Sequence, residues 1–82
     1  MKPSEANIID ILKRYSFEKG VWKQYSPNMS IIGDLKINSA RIVDIVLDVE
    51  DRFDIEIDDD SLESIVTVQD IVDVIEQKNK PV

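Results

Sequence analysis

The sequence predicts an all-α fold: a four-helix bundle with a short third helix and a long first loop, in a single domain spanning residues 1–82. Three observations predict it. Apolar residues recur at helical spacing in three separate stretches, around residues 8–15, 42–53 and 68–75, with charged residues on the opposite side of the first two. Serine, threonine, glycine and proline stand at the margins of those stretches, where caps and stops belong. The 82 residues are 43% hydrophobic and 33% charged, which suits one small core and fits neither a disordered chain nor a membrane-embedded one.

Pro3-Ser4 punctuate the start, with Ser4 as the expected N-cap. Ile8, Ile11, Leu12 and Tyr15 then follow at helical spacing, with Asp10, Lys13 and Arg14 on the other side. Gly20 supplies a stop, so helix 1 is expected at about residues 4–18. Residues 20–38 form a long connection containing Val21, Trp22, Tyr25, Pro27 and Met29. A loop of that length in a small domain is either functional or pinned down. Its apolar residues are read as packing on the bundle, the alternative for Trp22 and Tyr25 being a binding surface.

The segment from Arg41 to Phe53 is rich in strand-favouring residues, namely Ile42, Val43, Ile45, Val46 and Val49. Period decides for helix. Arg41, Asp44, Asp48 and Asp51 are spaced three, four and three, which traces one exposed helical face. The apolar positions cover a wider arc than one core contact requires, so Val43 and Leu47, beside the acidic stripe, are expected to be partly exposed. Ser61 to Ile65 is read as a short helix 3. Thr67 with Asp70 approximates a capping box, and Val68, Ile71, Val72 and Ile75 place helix 4 at about residues 68–78. Lys78 and Lys80 suit its C-terminal dipole, and Pro81 lies beyond it.

Composition excludes several kinds of chemistry. The chain has no cysteine and no histidine, which removes disulfides, cysteine nucleophiles, most zinc chemistry and the usual general base. No nucleophile–base pair can be assembled from what remains, so the chain is read as non-enzymatic. If it handles thioesters, the thiol must come from a prosthetic group. Asp54 to Ile65 does not make an EF-hand: Asp59 stands where the sixth-position glycine belongs and Ile65 where the twelfth-position glutamate belongs. No metal site is expected.

Charge is placed unevenly. Residues 1–37 hold six basic and four acidic residues, a net +2, whereas residues 38–82 hold four and thirteen, a net −9. A field of that sign disfavours nucleic acid and anionic membrane and attracts basic protein surfaces. The same charge also serves solubility alone. No apolar run reaches the length of a membrane span and the N-terminus lacks a signal-peptide pattern, so a cytoplasmic location is expected.

The run Ile31-Ile32-Gly33-Asp34-Leu35-Lys36-Ile37-Asn38-Ser39-Ala40 opens directly into helix 2, and its focus is Ser39. A serine at a helix start ordinarily caps it. The setting of this one, with Asp34-Leu35 upstream and an acidic, apolar-rich helix downstream, resembles the acyl carrier protein family. There, the serine of an Asp-Ser-Leu motif carries a 4′-phosphopantetheine arm. Residues 41–53 resemble the family's second helix, Asp54 to Asp58 its short acidic connector, and Thr67 to Ile71 the opening of its last helix. The likeness covers Ile31 to about Glu76; before Met29 only the helix-then-loop pattern matches. Lys36, Asn38 and Ala40 stand where the family usually has Gly, Asp and Leu.

The resemblance implies that a phosphopantetheinyl transferase moves the arm from coenzyme A onto Ser39, where a helix N-terminus receives the phosphate. The arm's thiol then holds acyl groups as thioesters, in fatty acid or related lipid biosynthesis. It further implies that Ala40, Val43, Asp44, Leu47, Asp48 and Asp51 receive acyl-transferring and acyl-processing enzymes with basic docking surfaces. The carrier itself is expected to be a monomer. The departures at Asn38 and Ala40 favour, as an alternative, a specialised carrier for a polyketide, aminoacyl or unusual lipid pathway. From another class comes an acidic protein-interaction module in which Ser39 is only a cap.

Overall fold

A proline at position 3 opens the first helix, since its fixed φ suits the first turn and the N–H it lacks would have no partner there. Residues 3–17 and 19–78 are described by the computed structural model. They form α1 (Pro3–Lys13), α2 (Ile42–Phe53), α3 (Asp59–Glu63) and α4 (Val68–Lys78), with 3-10 turns at Lys19–Gln24 and Ser39–Arg41. The all-α prediction therefore stands. α1 packs against both α2 and α4, and the apolar stripes of the three meet in one core that contains Ile8, Ile11, Leu12, Ile45, Val49, Ile71 and Ile75. Packing of this kind holds β-branched α2 in a helix, because most helical stability in proteins comes from burying the apolar face.

Two boundaries differ from the sequence reading. α1 ends at Lys13, not near residue 18, and Ser4 lies inside its first turn instead of capping it. The Arg14 and Tyr15 N–H groups donate to the Ile11 and Leu12 carbonyls three residues back, at 3.1 and 3.0 Å, which tightens and closes the helix. The chain then turns inward to bury Ser16, and Gly20 falls within a 3-10 turn instead of marking the stop. α3 begins two residues earlier than expected, because Asp58 accepts a bond from Ser61 N at 2.9 Å and caps it. α4 spans the predicted residues, with Thr67 and Asp70 bonding reciprocally: Asp70 N donates to Thr67 Oγ1 at 3.1 Å and Thr67 N to Asp70 Oδ2 at 2.9 Å. Glu18, Lys80 and Pro81 lie outside the described residues.

The long connection is pinned at several points. Trp22 and Tyr25 are half-buried and stacked on one another, with ring centroids 5.8 Å apart, and Lys13 Nζ lies 5.6 Å from the centre of the Trp22 ring. Packing is thus the role the structure gives them. Burial pushes the Tyr25 phenol up to about 12, with the nearby Glu5 carboxylate adding to the push through its charge. Further on, Ser30 bridges Thr67 in antiparallel fashion, Ile31 N donates to Val66 O at 2.9 Å, and Gln69 N donates to Pro27 O at 3.0 Å. The loop is tied in this way to the head of α4.

Candidate attachment site and docking face

Ser39 is held by what precedes it. Ile31, Leu35 and Ile37 are buried and anchor the run of turns leading to it. Asp34 Oδ2 accepts from Ser30 N at 2.8 Å while Ser30 Oγ accepts from Asp34 N at 3.0 Å, a closed turn that explains why Asp34 belongs there. Ser16, itself buried, donates its hydroxyl to the Leu35 carbonyl at 3.2 Å. Immediately after that carbonyl the backbone enters the left-handed region at Lys36, φ 59°, which a glycine would occupy without steric cost. That swing lets Ile37 turn inward and Asn38 turn outward.

The cap is Asn38, not Ser39. The Asn38 side chain accepts from Ala40 N at 2.9 Å, and its backbone carbonyl accepts from Arg41 N at 2.9 Å. Ser39 starts the short 3-10 turn that leads into α2, its side chain is exposed, and its hydroxyl has no hydrogen-bond partner among the described residues. The reading of Ser39 as a mere cap therefore loses its physical basis. Its hydroxyl is unencumbered, faces solvent, and stands at the lead-in to a helix. Among the described residues no base is bonded to it. One N–H expected to face a phosphate, that of Ala40, is already taken by Asn38.

The six residues expected to receive partners all lie on α2 or its lead-in turn. Ala40 and Asp51 are exposed, and Val43 and Leu47 are each 56% exposed, an unusual display for aliphatic side chains. Two of the acids are engaged within the molecule. Asp44 pairs with Arg41 at 3.2 Å. Asp48 accepts the Tyr15 hydroxyl at 2.5 Å, which joins the turn after α1 to α2 and raises the Tyr15 pKa. Asp51 remains open to solvent.

The sequence reading missed the lower part of this face. α2 is closed by its C-cap Asp54, which takes the left-handed conformation (φ 54°) and whose N–H returns to the Glu50 carbonyl. Glu50 Oε2 accepts from Ile57 N at 2.7 Å and folds the connector back along the helix. The result is an open groove of about 740 Å³ lined by Leu47, Glu50, Asp51, Asp54, Ile55, Glu56, Ile57, Asp58 and Lys78. The alternation of acid and isoleucine from Asp54 to Asp58 is the signal that was available in the sequence. Among the described residues no cluster of three or more carboxylates is arranged to hold a metal ion.

A serine hydroxyl at the lead-in to a helix is thus followed by an exposed apolar and acidic face. The family model described as a phosphopantetheine attachment site matches residues 23–75. The chain is 40% identical over 75 residues to the acyl carrier protein of Buchnera aphidicola subsp. Acyrthosiphon pisum (strain Tuc7), a match covering 89% of this chain and 94% of that one. It is 38% identical to the acyl carrier protein of Syntrophobacter fumaroxidans, over 93% of this chain and 90% of the relative. With the acyl carrier protein of Thermobifida fusca it shares 37% identity, over 94% and 100% respectively. The chain belongs to the acyl carrier protein family. It is a carrier that works with enzymes and not itself an enzyme, and its prosthetic group is 4′-phosphopantetheine.

Proposed function

We propose that Ser39 carries the 4′-phosphopantetheine arm and that the chain holds acyl intermediates on it during fatty acid or related lipid biosynthesis in the cytoplasm. The observation that carries this reading is the exposed, unbonded Ser39 hydroxyl, freed because Asn38 takes over the cap. The residues present fit the group: Ser39 is exposed at the start of the lead-in turn, and nothing among the described residues buries it. When bound, the arm supplies the thiol that this cysteine-free chain lacks.

The protein's own part is to present and to dock. Asn38 and the anchored Ile31–Ile37 loop hold the serine outward at a fixed point. Ala40, Val43, Leu47 and Asp51, with the groove-lining Asp54 and Glu56, offer apolar contact surrounded by carboxylates to basic surfaces on a phosphopantetheinyl transferase and on acyl-processing enzymes. Asp44 and Asp48 contribute to the field while bound to Arg41 and Tyr15. Ala40 and Asn38, standing where the resemblance has Leu and Asp, favour a specialised pathway as the second reading. Intact-mass analysis of the protein isolated from its host tests the reading: a chain carrying phosphopantetheine and an acyl group names the cargo, and a chain that is never modified refutes it.

A further inference from the structure

Among the described residues, Ser16 is the one polar residue that is buried, at 3% exposure. A buried hydroxyl costs free energy unless it is bonded, and this one donates to the Leu35 carbonyl at 3.2 Å. Leu35 is itself fully buried, so its carbonyl needs a protein partner just as much. Ser16 is the only donor to it among the described residues. The next residue, Lys36, has φ 59°, a region that a side chain with a Cβ enters only at a cost. The Leu35–Lys36 peptide is thus held in the orientation a left-handed turn requires by a hydroxyl from just beyond α1. The attachment loop has two outside tethers: Ile31 N on Val66 O at 2.9 Å at its start, and Ser16 on Leu35 near its end.

Resting on the attachment reading above, we propose that Ser16 is a positioning residue for Ser39, acting through the Leu35 carbonyl and the left-handed turn at Lys36. Without the hydroxyl, the buried carbonyl is left unpaired and the peptide gains by turning toward another donor. That turn takes Lys36 to negative φ, a change on the order of 100°, because the main allowed regions for a lysine lie there. Ile37, Asn38 and Ser39 follow directly. The inward turn of Ile37, and its N–H bond to the Ile31 carbonyl at 3.2 Å, therefore depend on this one dihedral. α2 lies beyond and is held independently by Ile45 and Val49 in the core. A carrier lacking the Ser16 hydroxyl keeps its docking helix but holds Ser39 in the reactive position only part of the time. Glycine occupies the left-handed region without steric cost, so Lys36→Gly makes the Ser16 bond dispensable.

The test measures kcat and KM for wild type, Ser16→Ala, Lys36→Val and the double variant Ser16→Ala/Lys36→Gly as substrates of a phosphopantetheinyl transferase, with coenzyme A in excess. For Ser16→Ala, kcat is expected to fall about fivefold while KM stays within about twofold, the split that separates presentation from docking. Adding Lys36→Gly should restore kcat to within about twofold of wild type, since the strain is then gone. Lys36→Val, at an exposed position where a β-branched residue resists positive φ, should lose kcat as Ser16→Ala does. Ile75→Val in the core of α4 lowers the melting temperature and should leave kcat unchanged. A folded Ser16→Ala protein with wild-type kcat overturns the assignment, as does a loss that Lys36→Gly fails to reverse or that Ile75→Val shares. If Ser16→Ala does not fold, Lys36→Val decides, and wild-type kcat there overturns it. If the transferase modifies a control carrier but not the folded wild type, the attachment reading falls and takes this inference with it.

Discussion

At the scale of single residues, the decisive fact is which side chain caps the turn before α2. Asn38 accepts from Ala40 N, and Ser39 is left with a free hydroxyl. Asn38→Ala should therefore lower stability by about 0.5–2 kcal/mol, as loss of a helix cap does. Ser39→Ala should change it by less than about 0.5 kcal/mol, as at an exposed site without partners. Paired thermal melts check this, and a larger loss from Ser39→Ala than from Asn38→Ala would contradict the assignment. The sequence showed Ser39 as the focus but not its release from capping. A cap and its neighbour differ by one residue, within the ordinary uncertainty of a helix boundary, and only the 3-10 lead-in decides between them. The strain at Lys36 was legible only as a departure from the family's glycine; its cause, a left-handed backbone at φ 59°, belongs to the fold.

Among the elements, α4 was legible to the residue because its signals are local: a capping pair three apart and an apolar stripe of fixed period. Asp70 ties the head of that helix by accepting from Val66 N at 2.8 Å and Thr67 N at 2.9 Å. The backbone bond from Thr67 is the main reason its pKa lies below the usual 3.8, with the bond from Val66 adding to it and partial burial opposing it. A carboxyl depressed in the folded state stabilises above its unfolded pKa, and that stability is lost as pH falls through the folded value. Asp70→Asn keeps an acceptor and removes the titration. Its melting temperature should fall less steeply than wild type below about pH 4, and parallel curves for the two proteins would show that Asp70 does not link α4 to pH. The end of α1 was not legible, because what terminates it is tertiary: Ser16 turns inward to reach the Leu35 carbonyl.

For the whole molecule, a net charge of −7 is concentrated in residues 38–82, and sequence alone showed that asymmetry. It did not show which acids are free. Asp44 and Asp48 looked like the centre of the docking stripe, yet each has an internal partner, Arg41 and Tyr15, that no spacing rule reveals. Charge reversal at Asp51 and Glu56 should accordingly slow loading by a basic-surfaced enzyme more than reversal at Asp44 and Asp48. Added salt should slow wild-type loading too, since exposed charges are screened over roughly 10 Å at 0.1 M. Loading rates measured across both pairs of variants and a salt series check this, and equal rates throughout would remove the acidic docking face. The groove that Asp54 to Asp58 forms against α2 was likewise hidden in the sequence, because it depends on Glu50 folding the connector back.

The central claim concerns one atom, Ser39 Oγ, and one measurement reaches it directly. Unmodified protein is incubated with coenzyme A, magnesium and a broad-specificity phosphopantetheinyl transferase, then analysed by intact mass and peptide mapping. Ser4, Ser16, Ser26, Ser30, Ser61 and Ser64 serve as internal controls. The expected result is a single phosphopantetheine on Ser39, abolished in Ser39→Ala while the helical circular dichroism signal persists. A folded wild-type protein left unmodified by a transferase active on another carrier, or a Ser39→Ala protein modified equally well, would contradict it.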